Sequence, residues 1–161
     1  MNKFIGTKLI QSEPMNRLDY NKYRGWELPE DENGDDEGYL VEYLDGGESN
    51  HPNHEGYISW SPKEQFDNAY RPTDGMSFGL AVEAMKQGYN VSRTGWNPSE
   101  SNNVYLFLFD PYKNKHFDIN EKPTMDGTPK PYIALHTGEN ALIPADISQV
   151  SMLSDDWIIV E

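Results

Sequence analysis

An α+β fold is predicted from three features of this chain. Residues 77–87 have the apolar periodicity of one short helix and are followed by a stop at Gly88. Several short β-rich runs come next, of which residues 104–109, VYLFLF, are almost continuously apolar. Turn residues separate these runs, which is the layout of one helix followed by an antiparallel sheet.

The chain divides near residues 70–74, YRPTD. Pro72 disfavours helix at Arg71, and Thr73 or Asp74 starts a new element. Two modules are expected, residues 1–72 and residues 73–161.

The first module reads as small and mixed α+β. Residues 4–11 alternate as a strand, and residues 16–23 form a short helix that buries Leu18, Tyr20 and Tyr23. Residues 27–38 are an acidic loop. Residues 39–43, YLVEY, and 55–60, EGYISW, are strands that can pair across a turn at Asp45-Gly46-Gly47. Ser61, Pro62 and Glu64 match a capping box that opens a closing helix, with Phe66, Ala69 and Tyr70 on one face.

In the second module, Ser77 is placed to cap the helix, and Phe78, Ala81, Val82 and Met85 share a face. Residues 89–93 form a strand, and Gly95-Trp96-Asn97-Pro98 turns the chain. Residues 113–130 are a long polar hairpin or loop. Residues 132–136, 141–143 and 157–160 supply further strands.

Composition narrows the function. Net charge is -14, and both halves are acidic: fifteen acids against seven bases in residues 1–72, twelve against six in residues 73–161. A nucleic-acid polymer needs a basic face to neutralise phosphate, and an anionic membrane surface needs the same. A small anionic ligand is still accommodated, because a few local donors outweigh a distant, screened field. The absence of cysteine excludes disulfides and thiolate chemistry. No apolar run reaches the ~18 residues of a membrane span, and the first residues lack the apolar region of a signal peptide. A bacterial cytoplasmic protein is expected.

No phosphate-binding glycine loop, nucleophile elbow or H-E-x-x-H motif occurs. His51 and His54 have H-x-x-H spacing, but the chain lacks cysteine and Pro52-Asn53 suggests a loop, so no metal centre is expected. Asp31, Asn33, Asp35 and Glu42 match ligand positions of a calcium loop. Asp36 stands where that loop needs glycine, and a solvated acidic loop is expected instead. His116 and His136 have no evident catalytic partner, and no cofactor is implied.

The binding candidates lie in the second module. The helix start at Ser77-Phe78-Gly79 offers free N–H groups and a positive dipole end. Gly79 either admits a ligand or allows the helix to pack closely on the sheet. Arg93 and Trp96 flank a turn. An indole stacks on a purine and a guanidinium forks onto a phosphate, while core packing and surface charge are the alternatives. Asn97 suits a base edge or ribose, or caps the turn. Asp155 and Asp156 precede the last strand, where a carboxylate accepts from ribose hydroxyls or stays solvated. Ser148 and Gln149 lie just upstream.

The order Phe-Gly-x-Ala, Gly, Arg-x-Gly-Trp-Asn and Leu-x-x-Asp-Trp resembles the second family of phage Thoeris anti-defence proteins, over roughly residues 73–161. The resemblance implies a nucleotide sponge. Such a protein holds a cyclic ADP-ribose-type alarm signal, glycocyclic ADP-ribose, without cleaving it, and is not an enzyme. It further implies a homotetramer with ligand pockets at protomer contacts, acting in the cytoplasm of the infected host, with cyclic dinucleotides of CBASS defence as a further ligand at separate sites. Phe78, Gly79, Arg93, Trp96, Asn97, Gln149 and one of Asp155 and Asp156 are the implied ligand contacts. The chain departs from the pattern at residues 141–151, ALIPADISQVS, where an aromatic is usual, so the far wall of the pocket is unassigned. Residues 1–72 resemble phage accessory modules. The alternative is a phage structural or regulatory interaction module that binds no nucleotide.

Overall fold

The structure is a computed structural model and describes residues 3, 6–97, 103–111, 130–139 and 141–160. It is α+β and divides into two compact units, Met1–Arg71 and Pro72–Glu161.

In the first unit, strands β1 (Ile10–Pro14), β2 (Gly38–Tyr43) and β3 (Tyr57–Pro62) form an antiparallel sheet in that order. Alternation along β2 sends Leu40 and Glu42 to one face and Tyr39, Val41 and Tyr43 to the other. Helix α1 (Arg17–Arg24) covers the first face, where Tyr20, Leu40 and Ile58 make a small core flanked by Tyr23 and Trp60. Asn16 caps α1 by accepting the Asp19 N–H at 2.8 Å. Helix α2 (Lys63–Ala69) serves the second face, with Phe66 stacked on Tyr39 at 4.0 Å and Tyr70 beside it.

Two local features differ from expectation. The first strand lies at Ile10–Pro14 rather than residues 4–11, because pairing with β2 from Ile10↔Tyr43 to Pro14↔Tyr39 sets its bounds. It is a largely exposed edge, so alternation carried little signal. Residues 4 and 5 lie outside the described residues. The capping box at Ser61 does not form either. β3 continues through Pro62, with Ser61 opposite Tyr39, so the ladder takes Ser61 and the helix starts at Lys63 without a side-chain cap. Gly38 is required at the close approach of these strands: a Cβ there would lie 2.5 Å from the Ser61 carbonyl oxygen and from the Trp60 ring.

The second unit is built on a five-stranded antiparallel sheet. Its strands are β4 (Asn90–Arg93), β5 (Tyr105–Phe109), β6 (Tyr132–His136), β7 (Leu142–Pro144) and β8 (Trp157–Val160), in the order β7-β6-β5-β4-β8. Register aligns Ile159, Val91, Leu106 and Leu135 in one apolar row. Helix α3 (Phe78–Lys86) packs on that row through Ala81, Ala84 and Met85. Phe78 and Val82 are half-buried against the same core. Gly88 then reverses the chain at φ 98°, a conformation that strains any residue with a Cβ.

The last strand lies between β4 and the segment that precedes α3. Met76 and Trp157 exchange both backbone hydrogen bonds, at 2.8 and 3.1 Å. Trp157 is thereby fully buried at the centre of the core. Ser77 occupies the N-cap position of α3, but its hydroxyl makes no capping hydrogen bond. A short helix, α4 (Gln149–Met152), lies in a segment without a helical pattern in its residues. It is capped by Ser148, whose Oγ accepts the Ser151 N–H at 3.2 Å. The predicted loop at residues 113–130 lies outside the described residues except for Lys130.

Candidate functional site

The second unit gathers Arg93, Trp96 and Asp156 around Trp157. Arg93 lies opposite Trp157 in the β4–β8 ladder, and its side chain meets Asp156, the residue before Trp157. Arg93 Nε and Nη2 donate to the two carboxylate oxygens of Asp156 at 2.8 and 3.0 Å, while Nη1 donates to Ser151 Oγ at 3.2 Å. The Asp156 carbonyl accepts from the Thr94 N–H and hydroxyl at 3.1 and 3.0 Å. The two carboxylates that the sequence left equivalent are thus distinguished: Asp156 is half-buried and paired, whereas Asp155 is exposed.

This pairing favours both charged forms. The Arg93 guanidinium holds the Asp156 carboxyl below its ordinary range, and the same hydrogen bond raises Arg93. Three of the five N–H donors of Arg93 are engaged, which leaves two for another acceptor.

Trp96 stands edge-to-face against Trp157, with centroids 5.3 Å apart, and Phe78 lies 5.1 Å from the same indole. Trp157 Nε1 donates to the Ser151 carbonyl at 3.0 Å, which ties α4 to the aromatic cluster. Trp96 is only half-buried. It borders an open cavity of about 420 Å³ whose wall includes Leu106, Leu135, Ala145, Asp146 and Ile147. The cavity is apolar apart from Asp146 and has the size of a small-molecule site. A second cavity of about 390 Å³, at the C-terminal end of α3, holds none of the binding candidates read from the sequence.

The remaining candidates are placed as follows. Asn97 clamps the β4–β5 connection: its Nδ2 donates to Ser92 Oγ at 3.1 Å and the Val104 carbonyl at 2.9 Å, and its Oδ1 accepts the Val104 N–H at 2.8 Å. Both amide hydrogens are therefore engaged. Gly79 is exposed in the first turn of α3, and a Cβ there would meet only Ser77 Oγ, at 3.9 Å. That space rules out close helix-on-sheet packing as the reason for this glycine. Gln149 is exposed at the start of α4, two residues before Ser151. Sequence reasoning missed Ser151 and Thr94, whose roles depend on a contact between segments nearly sixty residues apart. It also gave Trp157 no role at the site, although Trp157 closes the Leu-x-x-Asp-Trp pattern.

The first unit uses its titratable residues differently. His54 is bonded to Glu42 and Tyr23, and His51 stacks on Tyr23 at 4.4 Å. No group of three or more potential metal ligands converges among the described residues. Glu42, counted in the calcium-loop pattern, is engaged by His54 and the Gly56 N–H.

Comparison with known proteins follows the boundary between the units. A family model described as Thoeris anti-defense 2-like domain matches residues 76–160. The chain is also similar to the protein named Thoeris anti-defense 2 of Bacillus phage SP01. They are 33% identical over 98 residues, which span 53% of this chain and 94% of the phage protein. The match takes in α3, all five strands of the second sheet and the cluster of Arg93, Trp96, Asp156 and Trp157, and through it this chain belongs to the Thoeris anti-defense 2-like family.

Proposed function

We propose that this protein is a phage immune-evasion sponge that sequesters a cyclic ADP-ribose-type signal, such as glycocyclic ADP-ribose, and so blocks Thoeris defence in the cytoplasm of the infected host. The observation that carries the reading is that the family match coincides with the unit holding the Trp96 cavity and the Arg93–Asp156 pair.

In this reading the half-buried face of Trp96 stacks on the adenine. The two free N–H donors of Arg93 take a phosphate oxygen, while Asp156 holds the guanidinium in place. Asp155 accepts from ribose hydroxyls. Gln149 and the first turn of α3 at Phe78 and Gly79 supply further contacts, and Asn97 holds the turn that carries Trp96. An open cavity leaves part of a nucleotide uncovered, which fits a pocket completed by a second protomer in a homotetramer. Retention at nanomolar concentration requires about 12 kcal/mol of binding free energy. The ligand is bound and held, not cleaved. Residues 1–72 are an accessory module outside ligand capture, and cyclic dinucleotides are a second ligand class at separate sites.

The test is incubation of the purified protein with lysate from infected Thoeris cells, followed by washing, heating and mass spectrometry. The expected result is one nucleotide species released intact. Recovery of breakdown products beyond stoichiometry would identify an enzyme. A protein that captures no nucleotide but co-purifies with a phage protein would identify an interaction module.

A further inference from the structure

The first unit lies outside the family match and carries a side-chain relay that ligand capture leaves unused. Tyr23 Oη lies 2.9 Å from His54 Nε2, and His54 Nδ1 lies 2.7 Å from Glu42 Oε2. Glu42 Oε1 accepts the Gly56 N–H at 2.8 Å, so both carboxylate oxygens are fixed. Glu42 is buried, the His54 side chain is 14% exposed, and Tyr23 is half-buried.

With His54 neutral, these contacts set the direction of each hydrogen bond. The His54 hydrogen bond, followed by that of Gly56, holds the Glu42 carboxyl below its ordinary range, so Glu42 is an ionised acceptor. His54 Nδ1 must then carry a proton. In the neutral imidazole Nε2 is bare, and the Tyr23 hydroxyl donates to it. A hydroxyl, a base and a carboxylate that orients the base within hydrogen-bond reach are the parts of an activated nucleophile.

Anchoring the segment between β2 and β3 does not require this relay. Asn50 already bonds both the N–H and the carbonyl of Ile58, at 2.8 and 2.9 Å. His51 stacks on the Tyr23 ring and donates from Nε2 to the Tyr23 carbonyl at 3.3 Å. A neutral side chain at position 54 would leave those tethers in place.

We propose that Tyr23 is a histidine-activated nucleophile, a site of covalent transfer from activated donors with a tetrahedral phosphorus or sulfur centre. Phenols form durable aryl esters with such centres, whereas their carboxylic esters hydrolyse readily. In the transfer, the phenol oxygen bonds to phosphorus or sulfur. The bond to the leaving group breaks and that group departs with its electron pair. His54 Nε2 takes the phenolic proton, and Glu42 stabilises the resulting imidazolium. Glu42 is the positioning residue.

The experiment treats the full chain with an aryl sulfonyl fluoride and maps the label over its ten tyrosines by peptide mass spectrometry. Tyr23 is expected to react at least about a hundredfold faster than Tyr57, which is 48% exposed, that factor being the low end of what a positioned base contributes. His54→Gln is expected to remove the advantage, and Glu42→Gln to reduce it without a matching loss of melting temperature. Equal rates at Tyr23 and Tyr57 in the native chain would overturn the proposal, as would a rate unchanged by His54→Gln. If that variant does not fold, native and urea-unfolded chains are compared. The advantage must vanish on unfolding, and its persistence would refute a relay built by the fold.

Discussion

Arg93 and Asp156, sixty-three positions apart in sequence, form a two-point ion pair at 2.8 and 3.0 Å where strands β4 and β8 meet. The pair lies beside the buried Trp157, and the Arg93 side chain is 20% exposed.

Asp156 makes the stability of the second unit depend on pH. Its carboxyl is depressed by folding, so the pair adds stability above the unfolded aspartate value of about 3.9. That contribution is lost as pH falls through the folded value. Asp156→Asn should therefore melt lower than the parent at neutral pH, and the gap should narrow at about pH 3. Thermal unfolding at both pH values tests this; a gap independent of pH would show that the ionised pair contributes nothing.

Trp96 separates binding from folding. Trp96→Ala removes an edge-to-face contact with Trp157 and a wall of the cavity. Because Trp96 is half-buried, the stability cost should fall near the low end for aromatic truncation, about 3 kcal/mol. Loss of the stacking surface should weaken ligand binding by roughly 1–3 kcal/mol, about fivefold to somewhat over a hundredfold. Titration and unfolding are run on the same preparation. A folded variant that binds normally would remove Trp96 from the site.

Asn97 should behave in the opposite way. Asn97→Ala removes three hydrogen bonds across the β4–β5 connection and leaves the Val104 N–H without its side-chain partner. The expected loss is about 2–3 kcal/mol of stability. Ligand affinity of the folded fraction should change little. A large loss of affinity with unchanged unfolding would mean that the amide contacts ligand directly.

The boundary at Arg71–Pro72 predicts that residues 72–161 fold and capture ligand without the first unit. Chromatography and ligand titration of that fragment provide the check. A fragment that folds but fails to bind would assign part of the site to residues 1–71.

The residues themselves made much of the second unit legible. Residues 132–136 and 157–160 show their strand character directly and occupy those bounds in the structure as β6 and β8. The helix could be read from the spacing of Ala81 and Met85, since both must lie on one face to be buried. Asn97 was ambiguous because an amide suits a base edge and a backbone clamp equally well; only the position of Val104 distinguishes these uses. Helix α4 escaped notice because four residues carry too little periodicity, and Val150 and Leu153 are exposed rather than packed.

Sequence alone determined the α+β class and the family pattern from Phe78 to Trp157, and it set the expectations of a break at Pro72 and of no basic nucleic-acid face. Each of these depends on local residue order or on total charge. Tertiary structure decided which carboxylate meets Arg93, that Trp96 borders a cavity while leaning on Trp157, and that His54 links Tyr23 to Glu42. Those relations depend on strand order and register: the insertion of β8 beside β4, and the pairing of β2 with β3 that sets Glu42 opposite Ile58. Register is a property of the whole sheet, because shifting one strand by a single residue turns its side chains to the other face.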